Sequence, residues 1–169
     1  MEAEALWQRG LLRPAGLGRS GEQLSAVRGD QTAWLDEANA PPALASLLLA
    51  LSRLQRSLNQ AAYLGLTRVE VQLARYPCGG ERYQRHRDAF SGRASRRVTA
   101  LHYLNPGWKA KDGGQLLLHL PERTVAVSPA LDGLVVFLSE EVDHEVLPAF
   151  APRFATSTWF SGNESSGRG

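Results

Sequence analysis

Two histidines and an aspartate stand where they could hold a metal. His86 and Asp88 are two apart in "YQRHRDAF", and His144 follows far downstream in "DHEVLPAFAPRF". Residues i and i+2 of a β-strand project from one face. A strand here would therefore aim His86 and Asp88 together and turn Arg85 and Arg87 away. An imidazole from a distant strand, His144, would complete two nitrogens and one carboxylate. That set covers one face of an octahedral ion and leaves three positions open, as in non-haem Fe(II) sites. An isolated HxD is frequent by chance, and the other two histidines show how cheap the residue type is. His102 in "ALHYL" and His119 in "LLLHL" read as packed or rim residues among apolar neighbours.

Arg153, a little beyond His144 on the expected last strand, separates the triad from chance. Open metal positions call for a chelating co-substrate, and a 2-oxo dicarboxylate would supply one. Its far carboxylate needs a fixed cation, and arginine offers a two-pronged donor that is always charged.

The elements that must position these groups can be read from the spacing of apolar residues. Leu47, Leu51, Leu54 and Leu58 recur at helical intervals in Ala43 to Tyr63, with Arg53, Arg56 and Asn59 between them. Pro41 and Pro42 suit the start of this helix and Gly65 its exit. A shorter helix is expected from Glu2 to Arg9. Beyond Gly65 the pattern turns to strands: "TRVEVQLARY", "RRVTALHYL", "GQLLLHL", "RTVAVS", "GLVVFLS", "HEVLPA" and "RFATSTWF". In the first, Val69, Val71 and Leu73 alternate with Glu70, Gln72 and Ala74. Turn signals such as "PCGG", "NPG", "KDGG" and "LDG" separate the strands, which predicts a sandwich, barrel or jelly roll. One domain is expected over residues 1–160, with 161–169 ("SGNESSGRG" and its neighbours) as a polar, disordered tail.

The totals narrow the classes. The chain of 169 residues with 43% apolar content is enough for one substantial core. A net charge of +2 is too small to argue for nucleic acid by itself. Cys78 is the sole cysteine, which excludes an internal disulfide and a thiolate zinc cluster. No apolar run is long enough to span a membrane. The N-terminus lacks a basic start followed by an apolar stretch, so a cytoplasmic location is expected.

With these motifs in order, the sequence resembles the 2-oxoglutarate/Fe(II)-dependent prolyl 4-hydroxylases, specifically the oxygen-sensing prolyl-hydroxylase-domain type and its bacterial relatives. The likeness runs from about Val27 to Trp159. It is carried by "VRGDQTAWL", "ARYPCGGERYQRHRD", "LHYLNPGW", "KDGGQLLLHLPE" and "HEVLPAFAPRFATSTWF". The resemblance implies a double-stranded β-helix (jelly roll, cupin-like), mainly β with flanking helices. It implies Fe(II), 2-oxoglutarate and O2, with ascorbate as a candidate reductant. The product side would be succinate, CO2 and a C4-hydroxylated proline in a protein partner. By the same resemblance His86, Asp88 and His144 are the iron ligands. Arg153 and Tyr103 bind the distal carboxylate of 2-oxoglutarate, and Tyr76 lies beside the co-substrate. Leu101, Leu116 and Val146 are apolar walls, and Trp159 packs near the prolyl mouth. Arg19, in the loop "RPAGLGRSGEQLSA" that stands where the family has a closing loop, and Arg87 are taken to the substrate side. A monomer with no membrane or nucleic-acid partner is expected.

Other readings remain open at this level. "GLGRSG" fits GxGxxG but lacks the surrounding βαβ unit. "HRD" echoes a kinase loop without the other kinase motifs. "RGD" at Arg28 to Asp30 reads as a turn. Arg75, Arg82, Arg85, Arg87, Arg93, Arg96 and Arg97 form a basic cluster in sequence, so a nucleic-acid demethylase of the same superfamily is a rival. That class usually carries a second arginine where this chain has Trp159. A jelly-roll metal-binding module or isomerase holding zinc is the alternative of another class.

Overall fold

The computed structural model describes residues 1–15, 28–89 and 96–162. Two antiparallel sheets face one another. The major sheet has the order β1-β2-β3-β10-β5-β8, built from β1 (Arg13–Pro14), β2 (Gln31–Leu35), β3 (Leu66–Tyr76), β5 (Arg96–Tyr103), β8 (Leu134–Leu138) and β10 (Arg153–Gly162). The minor sheet has the order β4-β9-β6-β7, from β4 (Glu81–His86), β6 (Leu116–Leu120), β7 (Arg123–Val127) and β9 (Asp143–Ala149). This is the expected double-stranded β-helix. Every strand piece read from the sequence is present, and β1 and β2 add two short strands that were not anticipated. β10 runs to Gly162, two residues past the expected end of the domain, and Ser161 is buried. Residues 163–169 of the expected tail lie outside the described residues.

Helices α1 (Glu2–Gln8) and α2 (Pro42–Ala62) cover the outer face of the major sheet. Pro42 opens α2 at a position where its missing N–H costs nothing. The free N–H groups there find a partner in α1, for the Glu2 carboxylate accepts from Ala43 N (2.9 Å) and Leu44 N (3.1 Å). The leucine stripe faces inward as its spacing dictates: Leu44 and Leu51 are buried, with Leu47, Leu54 and Leu58 packed beside them on Val71, Leu73, Val98 and Phe160. The helix stops before Gly65. Tyr63 takes the left-handed conformation (φ 53°), and the Asn59 side chain caps the turn by bonding both Leu66 N (2.7 Å) and Leu66 O (2.8 Å).

A second apolar cluster, including Tyr76, Leu101, Tyr103, Leu116 and Val146, lies between the sheets. Strands β3, β5 and β10 are thus buried on both faces, one dry against the helices and one lining the space between sheets. That explains why the alternation in "TRVEVQLARY" fades: Gln72 and Ala74, on its nominally polar side, are as buried as Val71 and Leu73. Among the described residues no helix is long and apolar enough to cross a membrane.

Candidate functional site

β4 and β9 pair antiparallel with His86 directly opposite His144, so their rings meet at 4.2 Å between centroids. Asp88 does not share their strand. β4 ends at His86, and the aspartate projects from an irregular stretch just beyond it. Its Oδ1 lies 3.6 Å from His86 Nε2 and its Oδ2 3.8 Å from His144 Nε2. One donor atom from each of the three residues falls within 4.8 Å of the others.

The chemistry of these donors fits a divalent metal. His86 Nδ1 lies 2.8 Å from the Gln84 carbonyl and His144 Nδ1 lies 3.3 Å from that of Val142. A carbonyl oxygen only accepts, so both Nδ1 atoms carry a proton and both Nε2 atoms turn towards Asp88, where a metal ion would take their lone pairs. Burial pushes the His144 imidazole towards its neutral, ligating form, against the charge of Asp88. Burial alone would raise the Asp88 carboxyl. The His86 hydrogen bond and the two imidazole charges outweigh it and hold the group well below the usual carboxylate range. Two imidazole nitrogens and one carboxylate oxygen converge.

Arg153 enters the same cavity from the first position of β10, 2% exposed. Its Nε donates to Gly114 O (2.9 Å), and its guanidinium carbon stands 5.0 Å from the Tyr76 ring centre and 5.2 Å from that of Tyr103. Gly114 adopts φ +65°, and a Cβ there would come within 2.9 Å of Arg153 Cδ, so only glycine leaves this route open. The start of β10 is pinned by Asn105. Its side chain accepts from Phe154 N (2.6 Å) and donates to Phe154 O (2.9 Å) and Pro129 O (2.7 Å). No carboxylate lies within ion-pair distance of Arg153 among the described residues. The buried hydroxyl of Tyr103 makes no well-formed hydrogen bond. Burial raises the pKa of both tyrosines, so their hydroxyls stay protonated as donors.

A cavity of about 580 Å³ joins these groups. Leu101 and Val146 line it. Leu116, expected as a third wall, sits opposite Val146 in the β6–β9 register, fully buried behind the lining. Trp159 closes the outer end, 5.8 Å from the half-exposed Trp34, with the Arg96 guanidinium 4.0 Å from the Trp159 ring. Its indole N–H helps lower the Asp88 pKa yet makes no formed hydrogen bond.

Arg28 and Asp30 of the "RGD" are no turn. They form a two-pronged ion pair (2.7 and 2.6 Å), and Arg28 lies over Tyr83 (4.5 Å), which stacks on His86 at 3.6 Å. Neither residue was singled out for the site. The sequence "VRGDQTAWL" offered no sign that Arg28 would lie over Tyr83.

The basic cluster seen in sequence disperses. Arg75 is buried on the far side of the sheet, 3.8 Å from the Trp7 ring. Arg85 and Arg87 both bind Asp143 (2.8 Å each), and Arg97 donates to Leu64 O. Arg87, taken to the substrate side, does line the mouth of the cavity while paired to Asp143. Arg19, Arg93 and the "GLGRSG" segment lie outside the described residues. His102 and His119 stand away from the site, His102 near Asp132 (3.5 Å) and His119 bonded to Glu145 (2.9 Å).

Two histidines and an aspartate converging beside a buried arginine inside a double-stranded β-helix suit an iron-dependent oxygenase, and the comparisons agree on that class. Residues 71–161 match the model of the 2OG-Fe(II) oxygenase superfamily, and the chain belongs to that family. A solved prolyl-4-hydroxylase from Pseudomonas putida is 39% identical, with a TM-score of 0.86, over 96% of this chain and 83% of that one. A prolyl hydroxylase from Trichoplax adhaerens, solved with a hypoxia inducible factor oxygen degradation domain peptide, is 31% identical with a TM-score of 0.86, over 95% and 74%. Human Egl nine homolog 1 is 34% identical over 142 residues, 79% of this chain and 33% of its own length. The mouse protein of that name is 32% identical over 79% of this chain and 35% of its own. The chain thus spans about a third of the length of these curated relatives.

Proposed function

We propose that this chain is a 2-oxoglutarate- and Fe(II)-dependent dioxygenase that hydroxylates a prolyl residue at C4 in a protein substrate. The observation that carries it is Arg153, a buried guanidinium without a carboxylate partner among the described residues, in one cavity with three converging candidate metal donors. An unpaired buried cation is costly, so the cavity is built to receive an anion. A ligand that reaches both the donors and the arginine must have a chelating end and an acidic end, and 2-oxoglutarate has both.

In this reading His86, Asp88 and His144 hold Fe(II). The bound metal supplies the oxidising chemistry that couples loss of CO2 from 2-oxoglutarate to insertion of one oxygen atom of O2 into a C–H bond. Arg153 takes the distal carboxylate through the nitrogens that its Gly114 bond leaves over. Tyr103 donates its hydroxyl to the same carboxylate, and the Tyr76 ring flanks it. Leu101 and Val146 keep water from the buried end. Trp159 and Trp34 offer aromatic faces at the mouth for a prolyl ring, with Arg87 beside them. The Trichoplax relative was solved with a peptide, which supports a protein as the substrate class.

The test is incubation of the chain with Fe(II), 2-oxoglutarate, ascorbate and 18O2 in a proline-containing peptide library. Proline gaining one labelled oxygen, matched by succinate release, is the expected result. Labelled oxygen on another side chain, or on a nucleobase in a parallel nucleic-acid arm, would replace the prolyl assignment.

A further inference from the structure

His86 and His144 are fixed by strand pairing, but Asp88 lies beyond the end of β4 and has no such support. Its carboxylate is held from the opposite sheet. Thr99 Oγ1 of β5 donates to Asp88 Oδ2 at 2.8 Å, and Ser139 Oγ lies 2.9 Å from the same Thr99 oxygen. Thr99 and Ser139 are both fully buried. A threonine hydroxyl has one hydrogen, and an ionised carboxylate only accepts. Thr99 must therefore give its hydrogen to Asp88 and accept the hydrogen of Ser139. The hydrogen bonds run one way, Ser139 to Thr99 to Asp88.

The placement of the two hydroxyls follows from the fold. Thr99 shares the inner face of β5 with Leu101 and Tyr103, two and four residues on. Ser139 follows the last residue of β8, where its N–H bonds Arg97 O at 3.0 Å. A valine would fill the Thr99 site as well by volume, so its hydroxyl is a choice of polarity over packing.

We infer that Thr99, oriented by Ser139, is the positioning residue for the aspartate ligand; the inference rests on the metal-site reading above. With Oδ2 engaged by Thr99, the carboxylate is set before the metal arrives, and Oδ1, the oxygen nearer His86 Nε2, is left for the metal. A partner that orients a ligating group typically changes metal affinity about 10- to 100-fold when removed. Single-oxygen ligation also keeps the remaining positions of the metal free for co-substrate and O2, which a chelating carboxylate would narrow.

The experiment titrates the whole chain with Mn(II) by calorimetry and records the absorption spectrum with Co(II). Thr99→Val keeps the shape and removes the hydroxyl. It is expected to weaken Mn(II) binding at least ~10-fold and to change the Co(II) spectrum, while the metal-free protein melts as the parent does. Thr99→Ser should restore both readouts, and Ser139→Ala should weaken binding by a smaller factor. Parent-like binding in Thr99→Val, or Thr99→Ser as impaired as Thr99→Val, overturns the role. Should Thr99→Val fail to fold, Ser139→Ala decides, and parent-like binding and spectrum there overturn it. His144→Ala separates this from the site itself. If the parent takes up no more Mn(II) than His144→Ala, the metal-site reading falls and Thr99 with it. Tight parental binding that Thr99→Val leaves unchanged removes only the Thr99 role.

Discussion

The two faces of strand β10 differ in what they are for. Phe154, Thr156, Thr158 and Phe160 alternate on the side covered by the helices, where Phe154 and Phe160 join the outer apolar cluster. Arg153, Ala155, Ser157 and Trp159 alternate on the cavity side. Nearly every residue of the strand is buried, so burial does not distinguish the faces. Charge does. The inner face carries a buried cation, Arg153, with no carboxylate at ion-pair distance among the described residues, whereas the outer face carries only neutral groups, Phe154, Phe160 and the hydroxyls of Thr156 and Thr158. A buried neutral hydroxyl left unpaired costs far less than a buried charge left unpaired. The outer face is a fold surface and the inner face a ligand surface, and substitutions should separate them.

The largest contrast is between His144 and Phe160. His144→Ala removes one of three metal donors, and turnover of 2-oxoglutarate should fall to background with the metal-free melting temperature near that of the parent. Phe160→Ala empties a fully buried site on the helix side, and a loss of about 3–5 kcal/mol is expected. Measured below its lowered melting point, that variant should retain the parent's affinity for Mn(II). If His144→Ala turned over normally, or if Phe160→Ala lost metal while still folded, the division between faces would not hold.

Next comes the anchor. Arg153→Lys preserves the charge but gives up the fork, so the 2-oxoglutarate concentration for half-maximal rate should rise at least ~10-fold, equivalent to about 1.4 kcal/mol. Tyr103→Phe should shift it less, since one hydrogen bond contributes about 0.5–1.5 kcal/mol net. Unchanged half-saturation in Arg153→Lys would move the anchor to another cation, and an effect of Tyr103→Phe larger than that of Arg153→Lys would reverse their roles.

Much of this was legible in the sequence, and what was missed has physical reasons. The leucine stripe of α2 and the strand pieces were visible because each buries at least one face against a regular neighbour. His86, Asp88, His144 and Arg153 were visible because metal and carboxylate chemistry admits few residue types. The i, i+2 argument for Asp88 reached the right neighbourhood by the wrong route, because the strand stops at His86 and Thr99 takes over from it. Thr99, Ser139 and Asn105 escaped notice since hydroxyls and amides are common everywhere, and their contacts span 11 to 49 residues of sequence. The basic cluster misled for the opposite reason. Arg75 lies over Trp7 on the helix side of the sheet, Arg85 and Arg87 are both taken up by Asp143, Arg96 lies over Trp159 and Arg97 donates to Leu64 O, so nearness in sequence did not become one free basic surface.

The smallest effect should come from Thr156. Its side chain faces the helices, fully buried, and its hydroxyl has no hydrogen-bond partner among the described residues. A hydroxyl taken out of water without a partner costs stability, whereas a methyl of similar size in the same place does not. Thr156→Val should therefore leave the melting temperature unchanged or raise it, by up to about 1 kcal/mol of stability. Because the residue lies on the outer face, half-saturation by 2-oxoglutarate and affinity for Mn(II) should both stay at the parent's values. A destabilised Thr156→Val would mean that the hydroxyl has a partner after all, and a change in 2-oxoglutarate use would mean that the two faces of β10 are coupled through the strand.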